Sequence, residues 1–96
     1  MKNVSVLGCG LVGGVIARDL AEDPGLSVTV VDRNESAFAR TRETANLSRA
    51  IADLSTAEGI RGAVARADVV VGAVPGFLGR RMLETVIGEG KPIADI

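Results

Sequence analysis

Histidine, tyrosine and tryptophan are absent from this chain of 96 residues, and cysteine occurs once. Without His or Tyr, and with carboxylates in no paired arrangement, the sequence offers no group poised to move protons near neutral pH, so catalysis needs more chain than this. The lone Cys9 can close no internal disulfide and gives no metal-ligand spacing, which fits a reducing cytoplasm. Only two aromatic residues occur, both Phe, while 47% of the chain is hydrophobic. The core must then be Val, Ile, Leu and Ala, which suits layers of sheet and helix. Charge of one sign is also lacking: 11 basic and 12 acidic residues leave a net −1. They are spread along the chain and form no basic stripe, so nucleic acid is not an expected partner. No apolar run approaches the roughly 20 residues that span a bilayer, so no membrane is expected either. Val6-Leu7-Gly8-Cys9 faintly resembles a lipoprotein cleavage site. Its charged leader would be Met1 to Asn3 alone, however, and glycines interrupt the apolar stretch, which a secretory helix tolerates poorly.

What is present alternates. Short β-branched runs and longer helix-period stretches follow one another through residues 1–96, the pattern of a parallel sheet built from crossover units in one small domain. A buried strand is predicted over 3–7, then a helix over 11–21 with Val12, Val15, Ile16 and Leu20 at one-face spacing. A second strand over 26–31 finishes on Asp32. Asn34 can cap a helix running to about Asn46, with Glu35 in its first turn. A third strand over 49–52 ends on Asp53, and Ser55-Thr56-Ala57-Glu58 has the form of a capping box that opens the next helix. Gly59 and Gly62 each weaken that helix by about 1 kcal/mol relative to Ala, so the packing of Ile60 and Val64 must hold it. A fourth strand over 69–74 leads through Pro75-Gly76 into a helix with Leu78, Met82 and Val86 on one face, and 92–95 begins a fifth strand. The expected fold is a Rossmann-type, doubly wound parallel α/β sheet of strand order 3-2-1-4-5. It is read as truncated after the fifth strand, whose open edge suggests that the chain self-associates as a homo-oligomer.

Gly8-Cys9-Gly10-Leu11-Val12-Gly13 matches the glycine fingerprint GxGxxG. Alone such a match is weak, since 12 residues of the chain are Gly. Here it follows a predicted strand, opens a predicted helix and has Asp32 at the end of the next strand, which is the context the motif requires. Gly8 would make the tight turn, Gly10 would let the backbone approach a pyrophosphate, and Gly13 would let helix and strand pack closely. The N–H groups and dipole of the helix N-terminus then face the anion. An ordinary glycine turn is the plainer alternative.

Asp32 can accept hydrogen bonds from both ribose hydroxyls and would repel a 2′-phosphate, which argues for NAD. Beside it Arg33 can pair with a 2′-phosphate if Asp32 turns away, so NADP stays open. Asp53 is placed to meet the adenine edge, with a solvated turn as the alternative. Val74-Pro75 ends the fourth strand on the side where open α/β sheets bind ligands, near a nicotinamide ribose. Cys9 needs only to be small. The expected cofactor-binding set is Gly8, Gly10, Leu11, Val12, Gly13, Asp32, Arg33, Asp53, Leu54, Val74 and Pro75, with no catalytic and no metal-binding residue.

The segments 6–13, Asp53-Leu54 and above all Val74-Pro75-Gly76-Phe77-Leu78-Gly79 resemble the saccharopine dehydrogenase-like family, with its lysine 6-dehydrogenase-like members nearest in character. The resemblance runs over almost the whole chain and departs at Cys9, where Ala is common. It implies an NAD(P)-dependent oxidoreductase acting at a carbon–nitrogen bond of an amino acid, whose substrate-binding and acid–base groups belong to a following domain. Two other functions share the fingerprint: a non-enzymatic sensor of NAD(H) and a flavin-binding module.

Overall fold

The computed structural model describes every residue except Arg40, Pro75 and Ile96, and all side chains of the remainder but those of Phe77 and Asp95. Five parallel strands, β1 (Lys2–Leu7), β2 (Leu26–Asp32), β3 (Leu47–Ile51), β4 (Val69–Gly72) and β5 (Ile93–Asp95), lie in the order β3-β2-β1-β4-β5. Three helices connect them: α1 (Leu11–Ala21), α2 (Ala57–Val64) and α3 (Gly76–Gly88). The expected doubly wound sheet and its strand order are therefore the observed ones.

Alternation along the strands divides the core into two layers. Val4, Val6, Val28 and Val30 point to one face, where Ala17, Leu20 and Ala21 of α1 cover them together with Phe38 and Leu47. Leu7, Val31 and Val70 point to the other face and meet Ile60 and Val64 of α2 and Met82 and Val86 of α3. The register pairs Val4 with Val28 on one side and with Val69 on the other, so β1 is enclosed by both neighbours. A strand buried on both faces needs side chains that are apolar without alternation, and Val4 to Leu7 are all buried. Ser5 fits among them because its hydroxyl donates to the Ala63 carbonyl oxygen at 3.0 Å.

Four expected boundaries are corrected. The helix expected over 34–46 is a single 3-10 turn, Glu35–Phe38. Its apolar residues bunch at Ala37 and Phe38 and form no stripe, so a longer helix would have nothing to bury. Phe38 plugs the core, Arg49 lies over its ring at 5.8 Å, and the Thr41 N–H returns to the Phe38 carbonyl. The strand that follows begins at Leu47, not Arg49, because Leu47 is the residue that reaches the core beside Val28. β4 stops at Gly72; Ala73 still donates to the Leu7 carbonyl at 2.9 Å before the chain leaves the sheet. At α2 the cap is Thr56 and not Ser55: the Thr56 hydroxyl accepts from Gly59 N–H at 3.0 Å, while the Ser55 side chain turns to Asp53.

These elements put the C-terminal ends of β1, β2 and β4 and the start of α1 together at one edge of the molecule. Among the described residues no helix is long and apolar enough to cross a membrane.

Candidate functional site

The bend between β1 and α1 is fixed by hydrogen bonds from both sides. Gly8 N–H donates to the Val31 carbonyl at 2.7 Å, and Cys9 N–H donates to Asp32 Oδ2 at 2.9 Å. Gly8 has φ +101°, a region that residues with a Cβ rarely enter, and a Cβ there would lie 2.8 Å from the Ala73 carbonyl oxygen. Gly13 sits on the first turn of α1 directly over Gly8, so helix and strand touch backbone to backbone.

Gly10 differs from both. It is the N-cap of α1, its side offers no capping group, and a Cβ built on it meets no atom within 4 Å. Nothing inside the protein demands glycine there, and the open space beside it is where a ligand would lie. The first helical hydrogen bond runs from Gly14 N–H to the Gly10 carbonyl at 2.9 Å, which leaves the amides of Leu11, Val12 and Gly13 with no acceptor within their own helix. No carboxylate occupies the first turn of α1. The nearest carboxylate is that of Asp32, held on the Cys9 N–H just before the helix, and the first-turn amides themselves are left for an anion. Leu11 and Val12 themselves are exposed on the outer side of the turn.

A cleft of about 200 Å3 opens beside this bend, lined by Gly8, Gly10, Asp32, Arg33, Leu54, Ser55, Ala73, Val74 and Leu78. It brings together six of the residues singled out from the sequence. Gly13 stands behind it as packing. Leu11 borders a neighbouring hollow of about 290 Å3 on the far side of Gly10, shared with Cys9, Gly14, Arg18, Ser36 and Thr41. Pro75 lies outside the described residues. A larger hollow, about 650 Å3, lies elsewhere, over the faces of β2 and β3 beside α2; Asp53 borders it and none of the fingerprint glycines does.

Asp32, half-buried at the end of β2, has both oxygens engaged: Oδ2 by Cys9 N–H and Oδ1 by Asn34 N–H at 3.0 Å. Each oxygen can accept one further hydrogen bond. Arg33 is exposed at the mouth of the cleft. Asp53 does not line the cleft. Its carboxylate is turned into its own loop, where it accepts from the hydroxyl and the N–H of Ser55. The Ser55 hydroxyl and then the Ser55 N–H hold the Asp53 carboxyl below its usual value; burial opposes them, and the charge of Arg33 adds the least.

Ser55, Ala73 and Leu78 complete the lining without having been singled out. Ala73 and Leu78 arrive there because β4 lies next to β1, a tertiary pairing that no local motif announces. Ser55 carried a local signal, since Asp followed two residues later by Ser is the pattern of an Asx turn, but the same residues also matched a capping box.

The glycine bend, the uncapped helix start and the adjoining cleft are compatible with a dinucleotide. The sequence from residue 4 to 96 matches the family model of the saccharopine dehydrogenase NADP binding domain. A search of curated proteins gives no match. Among solved structures, the chain is similar to apo saccharopine dehydrogenase (L-Glu forming) from Saccharomyces cerevisiae, at 23% identity and TM-score 0.79, over 99% of this chain and 21% of that one. It is also similar to a Rossmann-fold NAD(P)-binding family protein from Shigella flexneri, at 17% identity and TM-score 0.80, over 97% of this chain and 50% of the other. A wide-type short-chain dehydrogenase/reductase from Veillonella parvula, in complex with NADP, follows at 12% identity and TM-score 0.73, over 98% and 46%. The chain thus spans between about a fifth and a half of the length of these structures, and at such identities they show the fold. The family match covers nearly the whole sequence, and the chain belongs to the saccharopine dehydrogenase family as its NADP-binding domain.

Proposed function

We propose that this domain holds NADP for an oxidoreductase that transfers hydride at a carbon–nitrogen bond of an amino acid, the substrate being handled by a further domain. The observation that carries the reading is the unobstructed start of α1: amides without helical acceptors, no first-turn carboxylate, and Gly10 open to the space beside them. The pyrophosphate rests on Gly10 to Gly13, and the adenosine enters the cleft between Asp32 and Leu54. NADP is placed ahead of NAD because Arg33 stands at the mouth of that cleft, where a guanidinium pairs with a 2′-phosphate, and because the family is an NADP-binding one. The Asp32 carboxylate, already bound by two backbone amides, opposes that phosphate less than a free carboxylate would.

The test is a fluorescence titration of the chain with NADPH and with NADH. NADPH is expected to bind more tightly, and Arg33→Ala to cost NADPH about 1.5 to 3 kcal/mol, the range for a hydrogen bond to a charged group, with NADH unaffected. Equal affinity for the two nucleotides, unchanged by Arg33→Ala, would reject the 2′-phosphate assignment.

A further inference from the structure

We propose that Asp32 acts as a positioning residue, whose main task is to aim the glycine bend at the pyrophosphate and not to grip the ribose. The inference rests on the reading of the bend as the pyrophosphate seat, and it assigns the strand-end carboxylate a different part in it.

The argument follows the hydrogen bonds along the bend. Gly8 is tied to β2 through its N–H and the Val31 carbonyl. Cys9 comes next, its side chain buried and in contact with the Thr41 hydroxyl at 3.5 Å, and its N–H ends on Asp32 Oδ2. Among the described residues the next backbone hydrogen bond is that of Gly14 N–H to the Gly10 carbonyl, with Gly13 packed on Gly8 between them. The Cys9 to Asp32 bond is thus the last hydrogen bond before the three amides that a phosphate would meet. The left-handed Gly8 makes such a restraint necessary, because glycine leaves the following peptide free to rotate. The carboxylate is itself steadied: Asn34 N–H holds its other oxygen, so the charge bridges the bend and the loop after β2. Charge-assisted bonds to backbone N–H groups are among the stronger ones available for this work.

A gripping role and a positioning role differ in what they require of the ligand. If Asp32 acts through the ribose hydroxyls, removing those hydroxyls abolishes the effect of removing Asp32. If it aims the bend, Asp32 matters equally to a nucleotide with no such hydroxyls. The test is therefore a cycle of wild type and Asp32→Ala against ADP and 2′,3′-dideoxy-ADP by calorimetry. Asp32→Ala is expected to weaken both probes by the same factor, about tenfold, the size of one lost charge-assisted hydrogen bond. Hydrogen exchange read by NMR is expected to show the Cys9 amide losing its protection in Asp32→Ala without ligand. Asp32→Asn keeps an oxygen for the Cys9 N–H and is expected to restore affinity for both probes, which also covers the case in which the Ala variant does not fold. A loss confined to ADP, or a Cys9 amide that exchanges equally fast in wild type and variant, would overturn the proposal. If wild type binds neither probe, it is the pyrophosphate reading that falls, and the exchange of Cys9 still decides whether Asp32 restrains the bend.

Discussion

A Cβ placed on Gly13 would lie 1.9 Å from the carbonyl oxygen of Gly8 and 3.3 Å from the Cβ of Ala73. The first turn of α1 therefore rests on the backbone of the bend that precedes it, and neither partner is a flexible side chain that could move aside. Gly13→Ala is expected to push α1 away from β1 and to lower stability by at least about 1 to 3 kcal/mol, as overpacking of a filled core does. Urea unfolding measures this. Gly14→Ala supplies the contrast: its Cβ would meet the Thr41 hydroxyl at 3.3 Å and Cys9 Sγ at 3.7 Å, both side-chain atoms, so the hydroxyl needs to give by a few tenths of an ångström. Equal stability of wild type and Gly13→Ala would show that the helix can lift at no cost.

The loop after β3 offers a separate test through pH. The Ser55 hydroxyl and N–H favour the ionised Asp53 and hold its carboxyl below the ordinary value of 3.8. Because the folded-state value is the lower one, the contribution to stability is present above the unfolded value, near 3.8, and is lost as the pH falls through the folded value. Ser55→Ala is expected to raise the Asp53 carboxyl toward 3.8, which an NMR titration of that carboxyl reads directly. The group is exposed, so the accompanying change in stability is small. Thr56→Ala is the control: it removes the cap of α2 at a cost of about 0.5 to 2 kcal/mol and leaves the Ser55 contacts in place. An Asp53 titration indifferent to Ser55 would remove this account of the loop.

The legible parts of the fold are those where the burial pattern is written into neighbouring residues. The run Val4-Ser5-Val6-Leu7, apolar but for one small hydroxyl, marks the central strand, and the glycine spacing with Asp32 marks the bend, because each is a local requirement of backbone geometry. Residues 34–46 misled for the same reason. Asn34 and Glu35 supply a helix start, but the Asn34 side chain makes no capping bond and its N–H goes to Asp32 instead. The segment is shaped by contacts distant in sequence: Phe38 seated in the core, and Asn46 donating to the carbonyls of Ala21, Asp23 and Leu26. Likewise the cleft wall is completed by Ala73 and Leu78 through the pairing of β4 with β1. Tertiary pairings of this kind leave no period in the sequence.

Gly10 separates folding from binding most cleanly. Its backbone is extended, with φ −72° and ψ −168°, a conformation open to any residue, and a Cβ there meets no protein atom within 4 Å. Gly10→Val should consequently fold as the wild type does, with stability changed by no more than about 0.5 kcal/mol, as at other surface positions. The branched side chain would nevertheless fill the space beside the Leu11, Val12 and Gly13 amides, and its stiffness at χ1 prevents it from turning out of the way. NADPH binding is expected to disappear from the titration while the circular dichroism spectrum and melting curve stay unchanged. Collapse of the spectrum would make Gly10 a structural residue, and undiminished binding would mean that the phosphates lie somewhere other than the start of α1.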